Sequence, residues 1–264
     1  MRSKPVLSVK GLTTVFQQQK SEFVAVNNIN LELYAGKITA LIGGSGSGKS
    51  ATALSLMNLI DKPGKVISGE ITLSGEVISN KSERQWRNIR GQKIAMIFQE
   101  PRSALNPTIK IEKHFAESLP PLWRKKSKTE KRQRYKDILS RLGLSHADEL
   151  LNKYPFELSG GMCQRIMVGM GLLSEAQVII ADEPTASLDL TTQAAILYEI
   201  DRLKSLGIAI LLITHDLGIV AQMADNVYVM YQGDIVSSGS ATLLFDNPQH
   251  EYTQRLFSTI KQGE

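Results

Sequence analysis

The residues best suited to chemistry lie in two places. The first is the run Gly43-Gly44-Ser45-Gly46-Ser47-Gly48-Lys49-Ser50, which follows an apolar stretch and fits the spacing G-x-x-x-x-G-K-[ST]. Its glycines and serines let successive backbone N–H groups turn inward on an anionic phosphate chain. Lys49 adds a point charge, and Ser50 offers a hydroxyl to Mg²⁺. The second is Asp182-Glu183-Pro184, directly after the apolar run at 178–181. Asp182 is an oxygen ligand for a hard cation, completing the pair with Ser50. Glu183, just past the strand end, can project towards a water instead of the metal. Neutralised phosphates, a bridging metal and a held water are what hydrolysis of a phosphoanhydride requires. An Asp-Glu pair at a strand end is ordinarily a surface turn; the phosphate loop upstream and Pro184 directly after favour the chemical reading.

These groups need a scaffold. Residues 6–9 and 29–33 alternate like half-buried strands, and 37–42 reads as a buried strand feeding the glycine-rich loop. Residues 51–59 read as the helix that brings its N-terminus to the phosphates, 70–78 as a hairpin, and 93–98 as another strand. From Gln99 onward, prolines punctuate a segment that turns helical and charged and closes with a helix over 160–173. Strand signals return at 178–181 and 208–214, separated by an amphipathic stretch at 192–206. This alternation predicts an α/β fold, a mostly parallel sheet with helices on both faces and a helical insertion at about 99–173.

With 264 residues and 42% hydrophobic content, the chain can bury a full core as one large domain or two lobes. Its longest apolar runs are strand-length, far short of a membrane span. The basic start at 1–6 is followed by no apolar run, so no signal peptide is expected. One cysteine, Cys163, excludes an internal disulfide and fits a reducing compartment; its expected place is that of a small buried hydrophobe. Much of the net charge of +5 sits at 124–134. No aromatic side chain interleaves there, so no nucleic acid is expected. The stretch reads as a solvated helix start, with a position near lipid headgroups as the functional alternative.

The order of phosphate loop, Leu158-Ser159-Gly160-Gly161-Met162 and Asp-Glu-Pro resembles the ATP-binding cassette ATPases, and the resemblance runs from Leu7 to near Leu256. It implies ATP and Mg²⁺ as cofactors. It also implies a P-loop NTPase core with an N-terminal antiparallel β subdomain and an inserted α-helical subdomain. The implied division is core and β subdomain at 1–98 and 174–240, helical subdomain at 99–173, and a helical tail at 241–264. Gln99 takes the place of the glutamine that contacts magnesium and the attacking water, and His215 that of the switch histidine reaching the terminal phosphate. Ser187-Leu188-Asp189 is similar to the loop that crosses the subunit interface. Phe16 is similar to the aromatic stacking on adenine, with Phe23 as the other candidate. Ser159, Gly160 and Gly161 resemble the signature, a helix start that clamps the terminal phosphate of ATP held by another subunit. Met162 and Cys163 stand where Gln and a basic residue are usual.

Residues 97–107, 154–158 and 244–253 resemble the importer branch for dipeptides, oligopeptides and nickel. Peptide-importing members often carry a cysteine-rich tail, and this chain ends at Glu264. Its short form is therefore more similar to the nickel and metallophore ATPases, with a peptide importer as the alternative. The implied partners are a second ATPase subunit (a copy or a paralogue), two integral-membrane permease subunits and, indirectly, an extracytoplasmic solute-binding protein. The implied place is peripheral, on the cytoplasmic face of the membrane. The surface around Arg102, Ser103 and Leu105 is expected to meet the permease. Soluble cassette ATPases are the rival class, but no heptad coiled coil splits this cassette, and the sequence carries one cassette where translation factors carry two. A pure nucleotide-binding module would have no need of Glu183.

Overall fold

The computed structural model describes residues 4–18, 21–186 and 188–261. An antiparallel sheet comes first. Strand β1 (Leu7–Gln17) pairs with β2 (Glu22–Leu33), and on its other edge with β4 (Gly64–Leu73), which continues to the short β5 (Glu76–Val77). Inward residues such as Leu7, Val9, Leu31 and Leu33 alternate with exposed polar ones, as a one-sided sheet requires. Between β2 and β4 run β3 (Ile38–Ile42) and helix α1 (Lys49–Leu56).

Strand β3 sits inside a six-stranded sheet of order β10-β9-β3-β8-β7-β6. The other members are β6 (Ile94–Ile97), β7 (Val178–Asp182), β8 (Ala209–Ile213), β9 (Asn226–Tyr231) and β10 (Asp234–Ser240). Every pairing is parallel except that of β10 with β9. Strands β3, β7 and β8 are buried at all five positions, which is why their sequences read as near-continuous apolar runs, interrupted only by Thr39 and by Asp182 at the end of β7. Their residues nonetheless divide by period two. Ile179, Ala181, Ile210 and Leu212 face one core; Val178, Ile180, Leu211 and Ile213 face the other.

The first core is shared with the helices that intervene between β6 and β7. After the short α2 (Glu83–Trp86) these are α3 (Pro101–Ala104), α4 (Ile111–Ser118), α5 (Pro121–Arg124), α6 (Lys128–Arg141), α7 (Ala147–Asn152) and α8 (Gly160–Ser174). Phe115, Tyr135, Leu139 and Ile166 carry their packing onto Ile97 and Ile179. The second core is covered by α1 and the antiparallel sheet, with Leu56 and Trp86 at its centre. Helices α9 (Leu190–Ser205) and α10 (Leu217–Met223) flank β8, and α11 (Ala241–Asp246) and α12 (Glu251–Lys261) follow β10. Phe257 of α12 and Leu244 of α11 pack on Ile42, Val227 and Val229 as a third core.

The structure thus has the expected α/β architecture, with several local differences. Strands β1 and β2 are much longer than the alternating stretches at 6–9 and 29–33. Helix α1 begins at Lys49, two residues before the sequence reading, because Gly48 at φ +107° supplies the turn into it. The basic stretch is a helix start, as read. Ser127 caps α6 by accepting from the Glu130 amide, and Glu130, bonded in return to Ser127, is held at a pKa of about 2. Arg132 pairs with Glu112 and Asp148, and Arg134 with Glu175. Those arginines are engaged by the chain's own carboxylates, which leaves the lipid alternative without support from them. Among the described residues no helix is long and apolar enough to cross a membrane.

Candidate functional site

Because β3, β8 and β7 are parallel neighbours, their C-terminal ends reach the same edge of the sheet. That edge is where parallel α/β sheets carry their ligand sites. The phosphate loop leaves β3 there, Asp182 and Glu183 leave β7, and His215 follows β8. Together with Gln99 beyond β6 they line one cleft of about 470 Å³ that includes Gly43 to Gly46, Lys49 and Ser50.

The loop requires glycine at two positions for steric reasons. At Gly43 (φ +153°) a Cβ would fall 2.1 Å from the Met230 carbonyl oxygen, and at Gly48 one would fall 2.3 Å from that of Ala25. The backbone is pressed between β2 and β9 at these points and can turn its N–H groups into the cleft. No side chain caps the start of α1, so its first amides remain available to an anion. Lys49 Nζ donates to the carbonyls of Gly43 at 2.9 Å and Gly44 at 2.8 Å. Burial lowers its pKa, and the nearby charges of Glu183 and Asp182 only partly oppose this. A cationic group held in a partly dehydrated site has an unmet preference for negative charge, which a polyphosphate supplies.

Asp182 is 3% exposed, and burial raises its carboxyl pKa against the opposing hydrogen bond from Ser50. Its Oδ1 has no hydrogen-bonding partner among the described residues. A buried, unpartnered carboxylate oxygen beside a serine hydroxyl is a donor set that fits Mg²⁺. Among the described residues no cluster of three or more acidic, His or Cys side chains is available, so the remaining ligands would be phosphate oxygens and water.

Glu183 adopts φ +48°, a left-handed conformation that few residues with a Cβ occupy. The sharp turn separates its side chain from that of Asp182 after the buried strand. Its amide donates to Ile213 O at 2.9 Å, and its carboxylate meets His215 Nδ1 at 2.8 Å. Glu183 is largely buried while the imidazole is 76% exposed, so the histidine faces the open cleft.

Phe16 and Phe23 are cross-strand partners in β1 and β2. Both line a smaller cleft of about 280 Å³ with Ala25 and residues Gly46 to Ala51, so either ring can present a face beside the loop. Ser159, Gly160 and Gly161 begin α8, where Ser159 Oγ accepts from the Met162 amide at 3.3 Å. None of the three lines the phosphate-loop cleft. Cys163 is fully buried with a raised thiol pKa caused mainly by burial, in keeping with a small hydrophobe. Ser187 lies outside the described residues, whereas Leu188 and Asp189 precede α9, and Asp189 caps it by accepting from the Thr192 amide.

One expectation is overturned. Leu105 is 2% exposed and packs in the helical core, so it cannot belong to a docking surface. Arg102, Ser103 and Ala104 beside it are exposed, and Arg102 reaches back to donate to Leu158 O at 3.2 Å. The sequence reading also missed residues at the cleft, Leu217 on its wall among them. Tyr252 bonds the loop through its hydroxyl, and Leu256 lines the cleft wall.

The model of the ABC transporter family matches residues 26–186. The chain belongs to that family, as an ATPase domain. Among its relatives are glutathione import ATP-binding proteins GsiA. That of Escherichia coli (strain K12) is 42% identical over 97% of this chain, and that of Salmonella typhimurium (strain LT2) is 43% identical over 98%. The chain spans only about 42–43% of the length of these relatives. A dimeric, post-hydrolysis structure of the ATP-binding cassette MJ0796 bound to ADP and Pi shares the fold, with a TM-score of 0.80, 24% identity, and coverage of 89% of this chain and 98% of that one. A structure of an ATP-binding subunit of an ABC transporter aligns with a TM-score of 0.75 and 23% identity, covering 97% of this chain and 99% of that one.

Proposed function

We propose that this chain is the ATP-hydrolysing subunit of an importer for peptide-like solutes. The observation that carries the enzymatic part is the convergence of Lys49, Ser50, Asp182, Glu183, His215 and Gln99 on one cleft at the C-terminal edge of the sheet. In this reading the loop amides and Lys49 hold the ATP phosphates, and Phe16 or Phe23 stacks on the adenine. Ser50, Asp182 and Gln99 hold Mg²⁺, which when bound neutralises charge on the phosphates. Glu183 orients and polarises the attacking water. His215, held through Nδ1 by Glu183, keeps its other ring nitrogen free for the terminal phosphate. Ser159, Gly160 and Gly161 serve ATP on a second ATPase subunit, a copy or a paralogue.

For the solute, the similarity to glutathione import proteins favours the peptide alternative over nickel or a metallophore, because glutathione is itself a tripeptide. The nickel preference leaned on the chain's ending at Glu264, and a chain end carries no information about a solute. Two permease subunits and an extracytoplasmic binding protein complete the proposed machine, with this subunit peripheral on the cytoplasmic face. The exposed turn Arg102 to Ala104 is its candidate contact with the permease.

The test is Glu183→Gln in the assembled transporter. ATP binding is expected to persist while turnover falls by roughly 10²–10⁴, the range for losing a positioned base. Near-normal hydrolysis would reject the assignment. Uptake of a labelled tripeptide that stops in the same variant would support the solute class.

A further inference from the structure

The C-terminal helix is built into the phosphate loop through one side chain. The hydroxyl of Tyr252 accepts the Gly44 N–H at 2.7 Å, across 208 positions of sequence. Gly44 is also engaged on its carbonyl side, by the Ser47 amide at 3.3 Å and by Lys49 Nζ at 2.8 Å. Both polar backbone groups of this one residue are therefore fixed, and the catalytic-loop lysine is fixed with them. The tyrosine is itself anchored. Its ring lies 4.2 Å from that of Tyr231, the last residue of β9. The neighbouring Thr253 is fully buried and shares a 2.7 Å hydrogen bond with Ser237 on β10. One turn further on, Leu256 lines the cleft.

We propose that Tyr252 is a positioning residue for nucleotide binding. It holds Gly44, and through it the first turn of the phosphate loop, in a shape ready for phosphate. This rests on the reading of that cleft as the ATP site. The physical reason lies in composition: a loop so rich in glycine samples many backbone states, and ordering it on binding costs affinity. An anchor that orders it beforehand removes part of that cost. A tyrosine fixed by ring packing and by its buried neighbour performs this better than a mobile water would.

Tyr252→Phe in the full chain keeps the ring and deletes only the oxygen. ATP affinity, measured by titration with Mg²⁺ present, is expected to fall about 3- to 10-fold, the worth of one hydrogen bond to a backbone amide. Turnover at saturating ATP should fall by less than affinity does. In protein labelled at glycine, the Gly44 amide should exchange with solvent faster. Tyr252→Leu, which removes the ring as well, should lose at least as much affinity. Unchanged affinity and unchanged Gly44 exchange in Tyr252→Phe would overturn the proposal. So would a lowered melting temperature with normal affinity, which would make Tyr252 a packing residue only. A wild-type chain that binds no ATP would overturn this proposal and the reading of the cleft together; one that binds ATP, matched by Tyr252→Phe, would overturn only the role of Tyr252.

Discussion

Helices α1 and α8 both open with glycine-rich turns and backbone amides free to meet an anion, yet their surroundings differ. The start of α1 is enclosed: Gly43 and Gly48 lie against backbone carbonyls of β9 and β2, and Lys49, Asp182 and Glu183 crowd the same cleft with their charges. Two of those groups have pKa values moved by burial, Lys49 down and Asp182 up. The start of α8 is open. A Cβ at Gly160 would meet no atom within 4 Å, its first turn carries no acidic residue, and it takes no part in the cleft. One helix start gathers its charged partners, Lys49, Asp182 and Glu183, from this chain's own strand ends. The other has donors, a cap and room, and in the proposed reading it is half of a site whose phosphate sits on a second subunit.

The sharpest way to break this contrast is to add the same methyl group at each start. Gly48→Ala forces a Cβ towards the Ala25 carbonyl at a φ that disfavours it; strain of about 2–4 kcal/mol is on the order of a 100-fold loss of ATP affinity at the chain's own loop. Gly160→Ala should leave that affinity within about twofold. Equal losses in an ATP titration would show that the two starts belong to one site. An effect of the same order, read in turnover instead of affinity, is expected from Gly160→Asp in only one ATPase subunit of a mixed complex. Placing a carboxylate where donors should face phosphate is expected to lower hydrolysis at the facing site by roughly 10²-fold, the scale of losing a transition-state donor. If single-site turnover instead drops at the altered subunit's own loop, the half-site reading fails. The smallest effect is Ser159→Ala. Loss of the α8 cap should cost about 1 kcal/mol in denaturant unfolding. Its own-loop ATP affinity should stay put; a drop there would tie α8 to the α1 site.

The enclosed region was the more legible one. Its strands are nearly continuous apolar runs, its loop has a fixed spacing, and Asp182 ends a strand with Glu183 directly after it, so local pattern and chemistry coincide. What the sequence could not supply was lateral order: that β8 lies between β3 and β7 is settled by crossovers, not by any local run. Strand β10 went unread because the polar residues of Asp234–Ser240 leave little apolar alternation to follow, whereas β9 carries a legible run from Val227 to Tyr231 that the sequence reading passed over. Leu105 was misplaced because a leucine among prolines and asparagine looks like a loop tip; it is buried in the core that the helical segment shares with β6 and β7, and α3 packs on α8, which comes more than fifty residues later. Tyr252 was missed for the same reason. Nothing in its type or spacing connects it to a glycine more than two hundred residues earlier, and only the folding of α12 over β9 and β10 brings them together.

The burial of Leu105 also has a mechanical meaning. The exposed turn from Arg102 to Ala104 is bolted to the interior by the leucine at one end and continues into Gln99 at the other, while Arg102 grips the carbonyl of Leu158. A load applied to that turn from outside cannot be absorbed by local bending, since close-packed interiors yield little. It has two stiff outlets, the cleft through Gln99 and the residue just before the α8 cap. The same short segment is thereby tied both to the cleft and to the residue that precedes the α8 start.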